Sequence, residues 1–149
     1  MGHPSMKTLI LTASVLSGGA GGAWAETSAK TEDHASGISI ELSAAEDVGA
    51  TCKLSFVVTN GHAADVEQAV YETVLFDAAG QVSRLTLLDF QDLPAGRLRV
   101  RQFQFPQACS DISRVLINGA ETCGAAGLDD AACSQGLTLI SRTGMELLG

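Results

Sequence analysis

Arg97, Arg99 and Arg101 are side chains whose type and spacing could do chemistry. Alternate residues of an extended segment share a face, so the three guanidinium groups would form one positive stripe. Planar guanidinium forks grip carboxylates and phosphates through paired hydrogen bonds, which suits an acidic peptide, a carboxylate or a phosphorylated head group. The plainer alternative is a solvated face whose arginines pair across strands with Asp and Glu.

Other reactive residue types lack productive spacing. Glu41, Glu46, Asp47 and the Asp129-Asp130 pair carry the charge of calcium ligands, but not the alternating acidic positions and glycine of a calcium loop. His34 and His62 stand in polar, loop-like surroundings without further His or Cys at ligand spacing, so they read as surface histidines and no metal site is expected. Gly-x-Ser-x-Gly is absent, no pair of carboxylates is singled out as acid and base, and no cofactor motif occurs. A non-enzyme is the expectation.

Cys52, Cys109, Cys123 and Cys133 are even in number and contain no Cys-x-x-Cys, which reads as two disulfides in an exported chain. Export has its own signal. Lys7 precedes a short apolar run at 8–16, and a small-residue stretch leads to Ala23-Trp24-Ala25. This order predicts a signal peptide over 1–25, cleaved before Glu26, with an apolar run too short to span a bilayer. Met6-Lys7 is an alternative start. No twin arginine precedes the run and no cysteine follows the cleavage point, so a product without lipid or membrane insertion is expected. All 17 acidic residues and 8 of the 9 basic ones lie beyond residue 25, giving a formal charge of −9. That balance argues against nucleic acid and anionic membrane surfaces as partners.

The elements that must position these residues are strands. Residues 26–37, rich in Ser, Thr, Ala and charge, read as a flexible arm before a single domain over 38–149. Ile38, Ile40 and Leu42 alternate with polar residues, and 44–51 would be a loop. Cys52, Leu54, Phe56 and Val58 share the clearest core-facing stripe, ended by Asn60-Gly61. Residues 70–77 are β-branched and aromatic up to an Asp77-Ala78-Ala79-Gly80 turn, and 81–90 return with apolar residues on both faces, as an interior or doubly covered strand would. In 97–105 the apolar parity switches between Val100 and Phe103, which a β-bulge near Arg101-Gln102 would reconcile. A strand at 112–118 and one or two more within 137–148, interrupted at Gly144, complete the set, with a loop at 121–135 between them.

About seven short strands with close turn signals predict an all-β, immunoglobulin-like antiparallel β-sandwich. Strands alternating in direction would bring Cys52 and Cys109 to one end, leaving Cys123 to pair with Cys133.

The run Leu75-Phe76-Asp77-Ala78-Ala79-Gly80, with Leu93-Pro94-Ala95-Gly96, Phe103 and the strand ending Val57-Val58-Thr59-Asn60, resembles the FxLYD and CARDB group of bacterial extracytoplasmic sandwich modules. It departs from that group at Phe76, where Tyr is commoner, and in its cysteines and C-terminal part. The chain is also similar to small exported alphaproteobacterial proteins of unknown function, which implies a periplasmic home. The expected function is a non-catalytic envelope module that binds a protein partner by sheet faces, loops or strand addition. A periplasmic inhibitor using the loop at 121–135, a small-ligand carrier and a small hydrolase are the alternatives.

Overall fold

The computed structural model describes Gly2 and residues 36–149. The expected signal peptide, the arm up to residue 35 and His34 lie outside the described residues. The described strands all belong to one compact unit, Asp33–Gly149. They are β1 (Ile38–Val48), β2 (Thr51–Asn60), β3 (Gln68–Phe76), β4 (Val82–Asp89), β5 (Leu98–Phe105), β6 (Arg114–Gly124), β7 (Thr138–Ser141) and β8 (Glu146–Leu148). Two four-stranded sheets, ordered β5-β2-β1-β7 and β4-β3-β6-β8, pack as an immunoglobulin-like β-sandwich.

Alternation dictates the interior. Ile38, Ile40 and Leu42 of β1 and Cys52, Leu54, Phe56 and Val58 of β2 are buried from one sheet. Ala69, Tyr71 and Leu75 of β3 with Val115 and Ile117 of β6 meet them from the other. Phe90, just after β4, lies edge-on to Phe56, Tyr71 and Phe103 with ring centroids 5.3–5.6 Å apart, joining the sheets. Such edge-to-face pairs add about 0.5–1.5 kcal/mol each beyond the area they bury.

Both disulfides pair as the strand directions require: Cys52 with Cys109 and Cys123 with Cys133. The Asp77 turn also forms, its Oδ1 accepting hydrogen bonds from the Ala79 and Gln81 amides at 2.9 Å while Gly80 takes φ 78°.

Several expectations are corrected. The described residues form eight strands, two of them from 137–148, but pairing is not antiparallel throughout: β7 joins β1 and β8 joins β6 in parallel. The chain breaks around Gly144, and its last two short strands go to the edges of opposite sheets. Residues 44–48 are strand, not loop. A bulge at Ser43 lets Ala44–Val48 continue pairing with β2 down to Val48 opposite Thr51, so Gly49 (φ 60°) and Ala50 alone make the turn. Residues 121–124 likewise belong to β6 rather than to the following loop. Gly37, placed in the arm, already belongs to the sandwich, where it is buried and its carbonyl accepts the Gly61 amide at 2.8 Å.

In β5 no bulge interrupts the register from Cys52 opposite Phe105 to Thr59 opposite Leu98. Phe103 and Phe105 face inward, so Leu98 and Val100 face out and are exposed. Strand β4 is an edge, not an interior or doubly covered strand, and its outward residues Leu85 and Leu87 are exposed.

Candidate binding surface

The uninterrupted register puts Arg99 and Arg101 on the inward side of β5, at the open rim of the sandwich. Arg101 donates from Nε to the Phe90 carbonyl at 2.6 Å and from Nη2 to the Asp92 carbonyl at 3.0 Å and its Oδ1 at 3.2 Å. Arg99 approaches the same carboxylate at 3.6 Å. Two of the three alternating guanidinium groups thus tie β5 to the segment entering it, while Arg97 is exposed and has no ion pair among the described residues.

The acidic candidates are dispersed. Glu41 pairs with Arg142 at 2.9 Å, Glu46 pairs with Lys53 at 2.9 Å, and Asp47 accepts the Cys109 amide at 2.7 Å. Asp129 accepts the Ala131 amide within its own turn. Among the described residues no group of three or more His, Cys, Asp or Glu could hold a metal ion. His62 donates from Nε2 to the Ala132 carbonyl at 2.8 Å, so this half-buried imidazole fastens the disulfide loop. Tyr71 reaches the same loop from below, its hydroxyl donating to the Cys133 carbonyl at 2.7 Å. Burial pushes the pKa of that phenol well above its ordinary value.

A cleft of about 550 Å³ opens between the β1 bulge and the β7–β8 turn, lined in part by Ser43, Ser110, Arg142 and Thr143. Its cation is already engaged by Glu41, and Thr143 bonds within its own turn to Ser141.

The outer face of the β4-β3-β6-β8 sheet is different in kind. Strand pairing sets Leu85, Val74, Leu116 and Leu148 directly opposite one another, an apolar row crossing all four strands. A neighbouring row runs Val82, Phe76, Arg114 and Glu146, with the Arg114 guanidinium stacked 5.2 Å from the Phe76 ring centre. Val82, Leu85 and Leu87 are 63%, 61% and 54% exposed, and Leu148 is 39% exposed at the far edge. Val74, in the middle of the row, is itself only 7% exposed, so the open apolar surface is concentrated along β4, where Val82, Leu85 and Leu87 lie together. Single exposed apolar residues are ordinary, whereas such a group is a mark of an interaction surface.

Beside this row lies a groove of about 290 Å³ lined by Glu72, Leu85, Thr86, Leu87 and Glu121. Glu72 stands opposite Leu87 and accepts a hydrogen bond from Asn118, while Glu121 projects where the β3–β6 register slips. Neither carboxylate is in an ion pair among the described residues. The corresponding row on the other sheet, Val100, Val57, Glu41 and Ile140, is broken by the Glu41–Arg142 pair.

The apolar face is the candidate feature that sequence patterning misreads. Leu85 and Leu87 on the opposite parity from Leu88 and Phe90 carried the signal. Covering by a second layer was the natural inference, but the described residues leave the face open.

No protein family and no curated protein matches the chain. Among solved structures, IrmA from Escherichia coli is similar, with 13% identity, 71% of this chain and 91% of that chain covered, and a TM-score of 0.47. That likeness is one of chain path alone.

Proposed function

We propose that this protein is an exported, non-catalytic module of the bacterial cell envelope that binds a protein partner through the outer face of the β4-β3-β6-β8 sheet. The observation that carries this reading is the apolar row Leu85, Val74, Leu116 and Leu148, flanked by exposed Val82 and Leu87. A partner covering it would remove apolar surface from water at about 25 cal/mol per Å², before the costs of association. Two disulfides mark an oxidising, extracytoplasmic compartment. The basic residue, apolar run and Ala-x-Ala site at the N-terminus support export into it.

In vivo photocrosslinking tests the assignment. A benzoylphenylalanine replacing Leu87 is expected to give a discrete protein adduct, whereas the same group replacing Gln104, exposed on the outer side of the other sheet, gives none. Adducts of equal yield from both positions, or from neither, would sink the proposed surface.

A further inference from the structure

Resting on that reading of the surface, we infer that the partner docks as an extended segment added along the β4 edge, with apolar and basic side chains alternating over the outer face. Three observations converge on one occupant. The first is the edge itself: β4 has eight residues, pairs with β3 on one side, and pairs with no strand on the other among the described residues. Its open side presents unpaired backbone donors and acceptors, the template on which another chain's strand can be laid.

The second is the side-chain sequence along the outer side of that edge: Val82, then, past the bulge at Ser83, Leu85, Leu87 and Asp89. A strand added there places its own alternate side chains beside these at cross-strand contact distance. Apolar partner residues complete the row that begins at Leu85 and otherwise ends in solvent.

The third is charge. The carboxylates bordering the apolar strip are Glu72, Glu121 and Asp89, and none is in an ion pair among the described residues. Among the described residues Asp89 accepts from the Gln91 amide and the Gln68 side chain. Glu72 lies two strand spacings, about 10 Å, from the backbone of an added strand. An arginine or lysine can cover that gap with its aliphatic stem across Leu87 and its charged head at the carboxylate. This complementarity disfavours a second copy of the chain. Each mature copy has a formal charge of −9, and the outer side of β4 has no cation to offer another copy's glutamates.

Titration of the full mature protein with a synthetic Gly-Ser-flanked peptide Val-Ser-Arg-Ser-Val-Ser-Arg-Ser-Val, whose valines and arginines alternate along one face of an extended strand, tests the mode, read by amide shifts and hydrogen exchange along Val82–Asp89. Binding should slow exchange on the open side of β4. Replacing arginine by glutamate in the peptide, or N-methylating its alternate amides, should abolish this protection. The paired substitutions Glu72→Gln and Glu121→Gln should weaken the arginine peptide about tenfold, the effect of losing two exposed ion pairs. Equal binding of the arginine and glutamate peptides, shifts away from β4, or a peptide-free dimer protecting the same amides would each overturn the inference. A persistent Leu87 crosslink alongside any of these would leave the partner-binding reading intact, and its loss would remove both.

Discussion

Tyr71 carries a hydroxyl into a fully buried position, and the Cys133 carbonyl is the acceptor that makes this tolerable. Tyr71→Phe should therefore lower unfolding free energy by about 1–3 kcal/mol, the cost of a buried carbonyl left without its donor. Urea denaturation at neutral pH measures it. Burial raises the phenol pKa in the folded state, so the unfolded chain ionises first, from about pH 10. The neutral phenol's contribution is thus fully present below that pH and is lost as pH rises through the folded-state pKa. Unfolding midpoints should fall on the alkaline side in the wild type and fall less in Tyr71→Phe. Tyr71 is the only tyrosine, so the phenolate absorbance band should appear with unfolding rather than before it. Asn60 makes a comparable prediction. Its Nδ2 donates to the Leu93 and Ala64 carbonyls at 2.8 and 3.0 Å, and its Oδ1 accepts the His62 amide at 2.9 Å. Asn60→Ala should cost about 2–3 kcal/mol by the same measurement, since it removes three hydrogen bonds of a buried amide, leaves the half-buried Ala64 carbonyl and His62 amide without that partner, and opens a small void.

Strand β4 separates interior from surface residue by residue. Leu87→Lys should change stability by less than about 0.5 kcal/mol, whereas Leu88→Ala, one position on and 3% exposed, should cost about 2–4 kcal/mol. Comparable losses from both, read from paired urea midpoints, would show that the strand's faces are assigned wrongly. The stripe of β2 was legible because one face of it is apolar and buried, and the Asp77 turn because its side chain bonds its own backbone. The extension of β1 through Ala44-Ala45-Glu46-Asp47 was not, since nothing there alternates and backbone pairing with β2 holds it extended. Strand β5 misled for the opposite reason. Its interior parity is filled at the rim by the stems of Arg99 and Arg101, whose charges are met by Asp92 from a loop that sequence order does not bring near. The apolar row belongs to no single strand, so only the register of three strand pairs could assemble it.

At the scale of the whole molecule, two covalent links of very different span hold the sandwich. Cys52–Cys109 closes 57 residues and Cys123–Cys133 closes 10. On a chain-entropy account, replacing the first pair by serine should cost roughly 4 kcal/mol and the second roughly 3 kcal/mol. Thermal unfolding of the two double variants gives the comparison, and the longer loop should show the larger loss. On the proposed export route, the mature protein should begin at Glu26 and fall four hydrogens short of the reduced chain, and intact-mass analysis reads both.

The order in which the four cysteines occur has a consequence for synthesis. Each native bond joins a cysteine to the next one in the chain, so a polypeptide threading through a membrane N-terminus first presents Cys52 and Cys109 together before Cys123 emerges. An oxidant that simply links thiols as they arrive therefore generates the native connectivity, and maturation should proceed without a disulfide isomerase.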